Sequence, residues 1–530
     1  MPYPSSFVRL LALLLLAQVG ESRAQVGSEG SPYSAFGFGD LLITGHVPSA
    51  LMGGAGIAYT EPFSILSSNP ASYAAARYIN GEGLVRPVFE GGVRGLFLDQ
   101  ESGSGSTSRS DAQFMGLSVG IPFGKGRWGM GLGITPFSDV GYSLTESRTI
   151  DEGPVTYEYS GSGGLSRVFA GVGRVLWQEK PDSLGHLGGR LAIGGNFDFI
   201  FGSIEQTRNA VYPRGQAYTN TKAFSSLVLR SPTGSFGLHY SDAITSKART
   251  GRSRETRTAK AQERIDRWRM DHVDTTRLAH SDLVLWRAAR TDESRMAWLR
   301  GIGWNTAYTD SASMPRLRDI AEVRPWRFTI GLTAGLPTVF SATSNDLVTS
   351  FFRSSTGIEQ TVDTLRSNGM VDGTMSIPLA YGAGLSVHNT RWLITAEVRR
   401  RDWGALEVDL DGYTLPSALR ASMMYALGAR FQPDDEGGVF DRATYRAGIR
   451  YTDDYLQVKG TPLSTSSFSA GMSLPLNAVQ TNSYLHFGAE YGQRGTVGEG
   501  LIQETFTHLW IGVSVTPWKR ERWFQRTRIQ

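Results

Sequence analysis

Apolar residues alternate with small or polar ones at every second position along most of the chain. In Asp111–Ile121, Met115, Leu117, Val119 and Ile121 alternate with Gly116, Ser118 and Gly120. Trp128, Met130, Leu132 and Ile134 are set against Gly129, Gly131, Gly133 and Thr135, and Leu509, Ile511, Val513 and Val515 against His508, Trp510, Gly512 and Ser514. This period predicts strands with one apolar face. Fourteen such runs are legible, at 82–98, 111–122, 128–146, 155–177, 188–206, 221–240, 325–341, 371–387, 391–407, 419–431, 442–458, 464–476, 482–494 and 502–516.

An even number of long alternating strands predicts a closed antiparallel barrel, because closure leaves no strand edge for lipid to solvate. The spacing also orients it. Short turns at Gly124–Arg127, Pro181–His186, His388–Thr390 and Asn477–Thr481 belong at the periplasmic rim, and longer polar connections at 100–110, 208–220, 342–368 and 408–416 outside. Trp128, Trp326 and Trp392 open strands at the short-turn end, and Trp177, Tyr240, Phe431 and Trp518 close strands there. Amphipathic rings favour the headgroup level, so they mark one membrane boundary.

Composition agrees with export and membrane insertion. Arg9 precedes the apolar run Leu10–Val19 and the Ser22-Arg23-Ala24 cleavage site, so residues 1–24 are expected to be a signal peptide. The chain has 63 Gly, 25 Phe, 20 Tyr and 12 Trp in 530 residues, and a slightly negative mean hydropathy of −0.21. That mixture fits strands with one lipid face and one luminal face. With no Cys there is no disulfide framework or thiolate site. A net charge of +4 over this length points to no nucleic-acid partner.

Two stretches break the pattern. The segment 242–323, between the sixth and seventh strands, is rich in Arg and Ala and poor in Gly. Its charge spacing is compatible with helix, so a helical insertion is expected, probing the periplasm because strand parity puts both its ends at the short-turn rim. Trp268, Leu283, Leu285, Trp286 and Trp298 are its expected core; a solvated charged segment is the alternative. Pro136 falls inside the third strand, where it removes a ladder donor. It marks an interruption, or else lies beyond the membrane zone.

Ser49–Tyr73 combines Gly53, Gly54 and Gly56 with the turn Asn69-Pro70-Ala71. Glycines there permit close backbone packing, and Asn-Pro fixes a turn. This arrangement resembles the amino-terminal hatch of the long-chain fatty-acid outer-membrane transporter (FadL-like) superfamily, in which G-x-A-G-x-A precedes an N-P-A turn. Ser31–Asp40 and the Trp-Phe-rich basic end resemble the Bacteroidetes-type variant, whereas the insertion has no counterpart in the resemblance. The family implies fourteen strands, a hatch inside the barrel, and a kinked third strand that releases ligand sideways. By that resemblance Pro136, Phe137 and Gly141 are the candidate kink.

The expected fold is therefore an all-β, 14-stranded antiparallel transmembrane β-barrel with an N-terminal hatch and an α-helical insertion. The expected divisions are signal peptide 1–24, hatch 25–80, strands one to six in 81–241, insertion 242–323, strands seven to fourteen in 324–518, and a basic tail 519–530. The resemblance implies passive uptake of hydrophobic, fatty-acid-like molecules across the outer membrane of a Gram-negative bacterium. Outer-membrane lipid, a hydrophobic ligand and a periplasmic protein partner at 242–323 are the expected partners. A scaffold or shuttle in protein secretion is the other reading; an apolar cavity beside the hatch favours transport, a sealed lumen the scaffold. No enzyme activity, cofactor or metal is expected. The G-x-S-x-G match at Gly116–Gly120 lies mid-strand, where a nucleophile elbow does not form, and the eight His show no ligand spacing. Luminal Glu397, Arg399, Arg446, Arg450 and Glu490 are expected to pair across the interior and hold the hatch.

Overall fold

A computed structural model describes residues 30–42, 45–61, 64–75, 87–103, 105–124, 127–150, 153–179, 188–213, 218–244, 280–289, 326–354, 358–413, 418–433, 438–476, 483–498 and 500–516, with a few single positions between 273 and 298. The signal peptide, the basic tail with Trp518, Trp268 and most of the insertion lie outside these residues.

The wall consists of β1 (Val88–Ser102), β2 (Gly105–Phe123), β3 (Trp128–Ile150), β4 (Gly153–Gln178), β5 (Arg190–Val211), β6 (Asn220–Ala243), β7 (Arg327–Gly335 continued by Thr338–Arg353), β8 (Glu359–Ile377 continued by Ala380–His388), β9 (Trp392–Asp402), β10 (Ala421–Phe431), β11 (Thr444–Val458), β12 (Thr461–Pro475), β13 (Tyr484–Arg494) and β14 (Gln503–Val515). Each pairs antiparallel with the next, and β14 pairs back onto β1 from Val515↔Phe89 to Gln503↔Glu101, which closes the barrel. Pro337 and Pro378 interrupt β7 and β8 at neighbouring points without changing the strand order.

The alternation read from the sequence is the two-sidedness of this wall. Leu385, Ile394, Leu427, Ile449, Phe468, Leu509 and Ile511 point outward and are exposed, as an apolar belt facing hydrocarbon must be. Their neighbours Ser386, Thr395, Ser469 and Trp510 point inward and are buried. Trp177, Trp326 and Trp392 lie exposed at the short-turn rim, with Trp392 packed 4.3 Å from Phe431 and Phe123 6.0 Å from Trp128. No helix among the described residues is long and apolar enough to cross a membrane; the strands cross it.

Two of the connections expected as loops are mostly strand among the described residues. The described residues of 100–110 and 342–368 continue β1–β2 and β7–β8 well above the belt, and in 208–220 β5 extends to Val211 and β6 starts at Asn220. Beyond the hydrocarbon both faces of a ladder meet water, so the apolar period disappears while the hydrogen bonds continue. The described part of the insertion is helix α2 (His280–Ala288), whose Trp286 packs 5.2 Å from Trp298. Leu285, expected in its core, is 53% exposed, because Trp286 takes the buried side of the helix.

Candidate functional site

The described residues from Gly30 to Ala75 lie inside the barrel as a plug with two limbs. The upper limb, 30–42, contains a 3-10 turn at Pro32–Ala35 capped by the Ser31 hydroxyl. The lower limb runs from α1 (Val47–Ala50) through Gly53 to a second 3-10 turn at Pro70–Ala75. Gly53 and Gly54 have φ of +70° and +85°, a conformation that excludes a Cβ at little cost only for glycine.

The wall is cut to this lower limb. Every strand except β9 turns a glycine toward the plug. A Cβ at Gly448 would collide with Gly53 N and Met52, one at Gly331 with Ile57 O, one at Gly237 with Asn69 Oδ1, and one at Gly194 with Pro70. Gly428 faces Gly448 directly, as Gly471 faces Gly488 and Gly92 faces Gly512. The small face of the strands is thus the socket of the plug.

Polar groups fix the plug within that socket. Glu397 Oε2 accepts the N–H groups of Gly56 and Ile57, both at 2.8 Å, while Arg399 holds its other oxygen at 2.6 Å and donates to Gly54 O. Asn69 is fully buried: Nδ2 donates to Ile57 O at 2.8 Å and to Leu238 O of β6, and Oδ1 accepts Ala71 N–H. It staples two turns of the plug to the wall, with Pro70 and Ala71 seated against β4 and β5. Glu61 receives Arg446 at 2.8 Å and Arg430 at 3.3 Å. Burial alone would raise the Glu61 carboxyl, but the two guanidinia outweigh it and bring it down to about 2. Arg450 pairs with Glu490 across the wall. Glu61 and Glu90, the latter accepting Ile65 N–H and Ser64, do the same work and escaped the sequence reading. Inward parity on β1 was the available signal for Glu90.

Ser118, from the G-x-S-x-G match, meets His46 Nε2 at 3.1 Å, and His46 Nδ1 lies 3.9 Å from Glu90. Burial pushes His46 down to about 4, with Arg167 adding to the effect, so the imidazole is neutral. All three residues are buried and none lines the main cavity, so this line of groups is a plug anchor.

A cavity of about 460 Å³ separates the two limbs. Leu96, Leu98, Met115, Phe137, Phe506 and Trp510 give it apolar walls, and Arg167, Arg399 and Arg401 give it a cationic side. It is therefore amphiphilic rather than the apolar pocket that would favour transport of a plain hydrocarbon. Among the described residues Arg401 has no carboxylate partner; it lies 5.0 Å over Trp403. Arg167 is 3.9 Å from Asp198 and donates to Ser67.

The wall is incomplete beside this cavity. The β2–β3 ladder runs from Phe123↔Trp128 to Leu117↔Ile134 and ends there, although both strands continue. Gly116 has φ +129°, and Phe137 is a bulge between Pro136↔Ser166 and Ser138↔Leu165. The freed edge of β3 pairs instead with the plug: Asp40↔Asp139, Leu41↔Ser138, Leu42 N–H to Phe137 O at 3.0 Å, and Gly30 N–H to Gly141 O at 2.9 Å. Across the gap only side chains reach, Gln113 Nε2 to Asp139 at 2.7 Å and Arg109 to Ser143 O at 2.5 Å. Pro136 and Phe137 thus lie at the lapse in pairing, and Gly141 at the contact with the plug.

A closed fourteen-stranded barrel with an apolar belt, an internal plug and a lateral gap defines a plugged transmembrane β-barrel of the outer-membrane type. A family model described as BamG matches residues 7–284 and 326–530, so the chain belongs to the BamG family. No curated protein matches it. Among solved structures it is similar to the P. putida toluene transporter TodX, at 13% identity and a TM-score of 0.47, over 90% of this chain and 99% of that one. A Pseudomonas aeruginosa FadL homologue is similar at 11% identity and a TM-score of 0.44, over 90% of this chain and 99% of that one.

Proposed function

We propose that the protein is an outer-membrane channel for passive uptake of small hydrophobic and fatty-acid-like molecules in a Gram-negative bacterium, with lateral release between β2 and β3. The observation that carries this reading is the end of the β2–β3 ladder beside a cavity whose floor is filled by the plug. A solute in the cavity meets the glycine-seated lower limb below and an unpaired wall at its side, so the lateral route demands less rearrangement. Each buried methylene contributes about 0.8 kcal/mol to binding. The guanidinia of Arg167 and Arg401 suit a headgroup carboxylate, and Met115 and Phe137 an alkyl chain pointing at the gap.

The test closes the gap. The chain has no Cys, so Gln113→Cys with Asp139→Cys can be bridged by a short bis-maleimide. In cells lacking their own long-chain fatty-acid uptake, oleate entry should depend on this protein and fall when the gap is bridged. Uptake that ignores the bridge overturns lateral release. No uptake by correctly folded protein overturns transport.

A second reading is favoured by the tightness of the socket: a non-transporting barrel acting as scaffold or shuttle in protein secretion, with the 242–323 insertion meeting a periplasmic protein. A folded barrel that takes up no solute, yet loses a cross-linked periplasmic partner when 242–323 is deleted, would support it.

A further inference from the structure

Strand β8 has an open edge above the membrane. Between Glu359 and Ile377 it pairs with β7 along one side, whereas on the other side, among the described residues, it pairs only with the three-residue strand Glu407–Asp409, at Thr374–Ser376, with Leu410 lying against Gly373. Among the described residues, nothing pairs with that side from Glu359 to Gly373. A tilted strand crosses the bilayer in about ten residues. Starting from His388 at the short-turn rim, β8 has left the membrane well before Met370. Yet Met370, Leu365 and Val362 are 82%, 56% and 63% exposed.

Free edges in water are ordinarily guarded by charge, proline or a bulge. Two bulges here carry Val362 and Leu365 as their extra residues, so the irregularity displays apolar groups in place of hiding them. Leu410 lies against Gly373 and the chain turns there, with Tyr413 N–H on Leu410 O, so an incoming strand would pair beyond the point where Glu407–Asp409 ends, from Asp372 toward Glu359.

The unpaired charge around this edge is mainly negative. Glu359 is used by Arg353 and Lys222. Asp363, Asp372, Glu407, Asp409 and Asp411 make no ion pair among the described residues, although Asp372 accepts the Thr343 hydroxyl and Asp363 the Thr364 N–H, and Arg366 is the one Lys or Arg in the sequence from 359 to 377. We infer that this edge is a docking site for an extended segment of a partner protein in which Lys or Arg alternates with apolar residues, added to the sheet as a strand. Main-chain pairing supplies the affinity and the acidic and apolar side chains the selectivity. A second copy of the chain would bring the same carboxylates against each other, so self-pairing is disfavoured.

Purified full-length protein in detergent is titrated with three labelled peptides, followed by fluorescence anisotropy: alternating Lys–Val, alternating Glu–Val, and alternating Lys–Pro, which cannot form a strand. The Lys–Val peptide should bind and the other two should not. Asp363→Lys with Asp372→Lys should weaken it about tenfold or more, the equivalent of about 1.4 kcal/mol, while heat-modifiable gel migration shows the barrel intact. Absence of Lys–Val binding, equal binding of Lys–Pro, or indifference to the double substitution overturns the assignment. So does a dimer in sedimentation that the same substitutions dissolve, because the occupant would then be a second copy.

Discussion

Replacing Glu61 by Gln should loosen the plug by an amount the structure sets. The carboxylate sits between Arg446 at 2.8 Å and Arg430 at 3.3 Å, fully enclosed, and is held at about 2 against an ordinary 4.5. That difference corresponds to about 3 kcal/mol of preference for the seated, ionised form. It agrees with the roughly 3–5 kcal/mol lost when one member of a buried pair is removed and its partner is left uncompensated. A lowered carboxyl stabilises the seated plug above about pH 4.5, and the contribution disappears as pH falls through about 2. By the same linkage about 1 kcal/mol of it remains at pH 3. Hydrogen exchange of the plug amides reads the opening directly. At pH 7 the Glu61→Gln plug should exchange roughly three hundredfold faster than the native one. At pH 3 the gap between the two proteins should narrow to about tenfold. Equal exchange at pH 7, or a difference that does not shrink in acid, would refute the assignment of Glu61 as the main electrostatic fastening.

The socket makes a second prediction. Gly448→Leu should prevent the plug from seating, because its Cβ already meets Gly53 N and Met52; in planar bilayers the variant should conduct ions where the native barrel does not, at an overpacking cost of about 1–3 kcal/mol or more. An unchanged, silent barrel would show that the plug backbone can yield there. For the insertion, protease added to intact cells should leave 242–323 uncut, and permeabilised cells should be cleaved near Arg249–Arg257, which lies outside the described residues. Cleavage on intact cells would place the short-turn rim on the outside.

What the sequence discloses follows from where the solvent changes. Within the hydrocarbon belt a strand has lipid on one side and lumen on the other, so Leu509, Ile511 and Val513 alternate visibly with Trp510, Gly512 and Ser514, and all fourteen strands were legible. Above the belt Gln360–Met370 is exposed on both faces, and its strand state rests on main-chain pairing with β7 that no side-chain pattern records. The luminal glycines were visible as the small partners in the alternation, but their purpose depends on distance along the chain. Gly448 is small because Gly53 passes it, nearly four hundred positions earlier. The same holds for charge. Glu397 and Arg399 stand two apart on one inward face and read as a pair, whereas Glu61 and Arg446 become partners only once the plug lies inside the barrel. Pro136 announced an interruption, yet its consequence belongs to β2, which carries no proline between Gly105 and Gly116 and loses its partner because β3 turns away. A gap in a wall is a relation between two strands and a plug, and each of the three sequences holds one part of it.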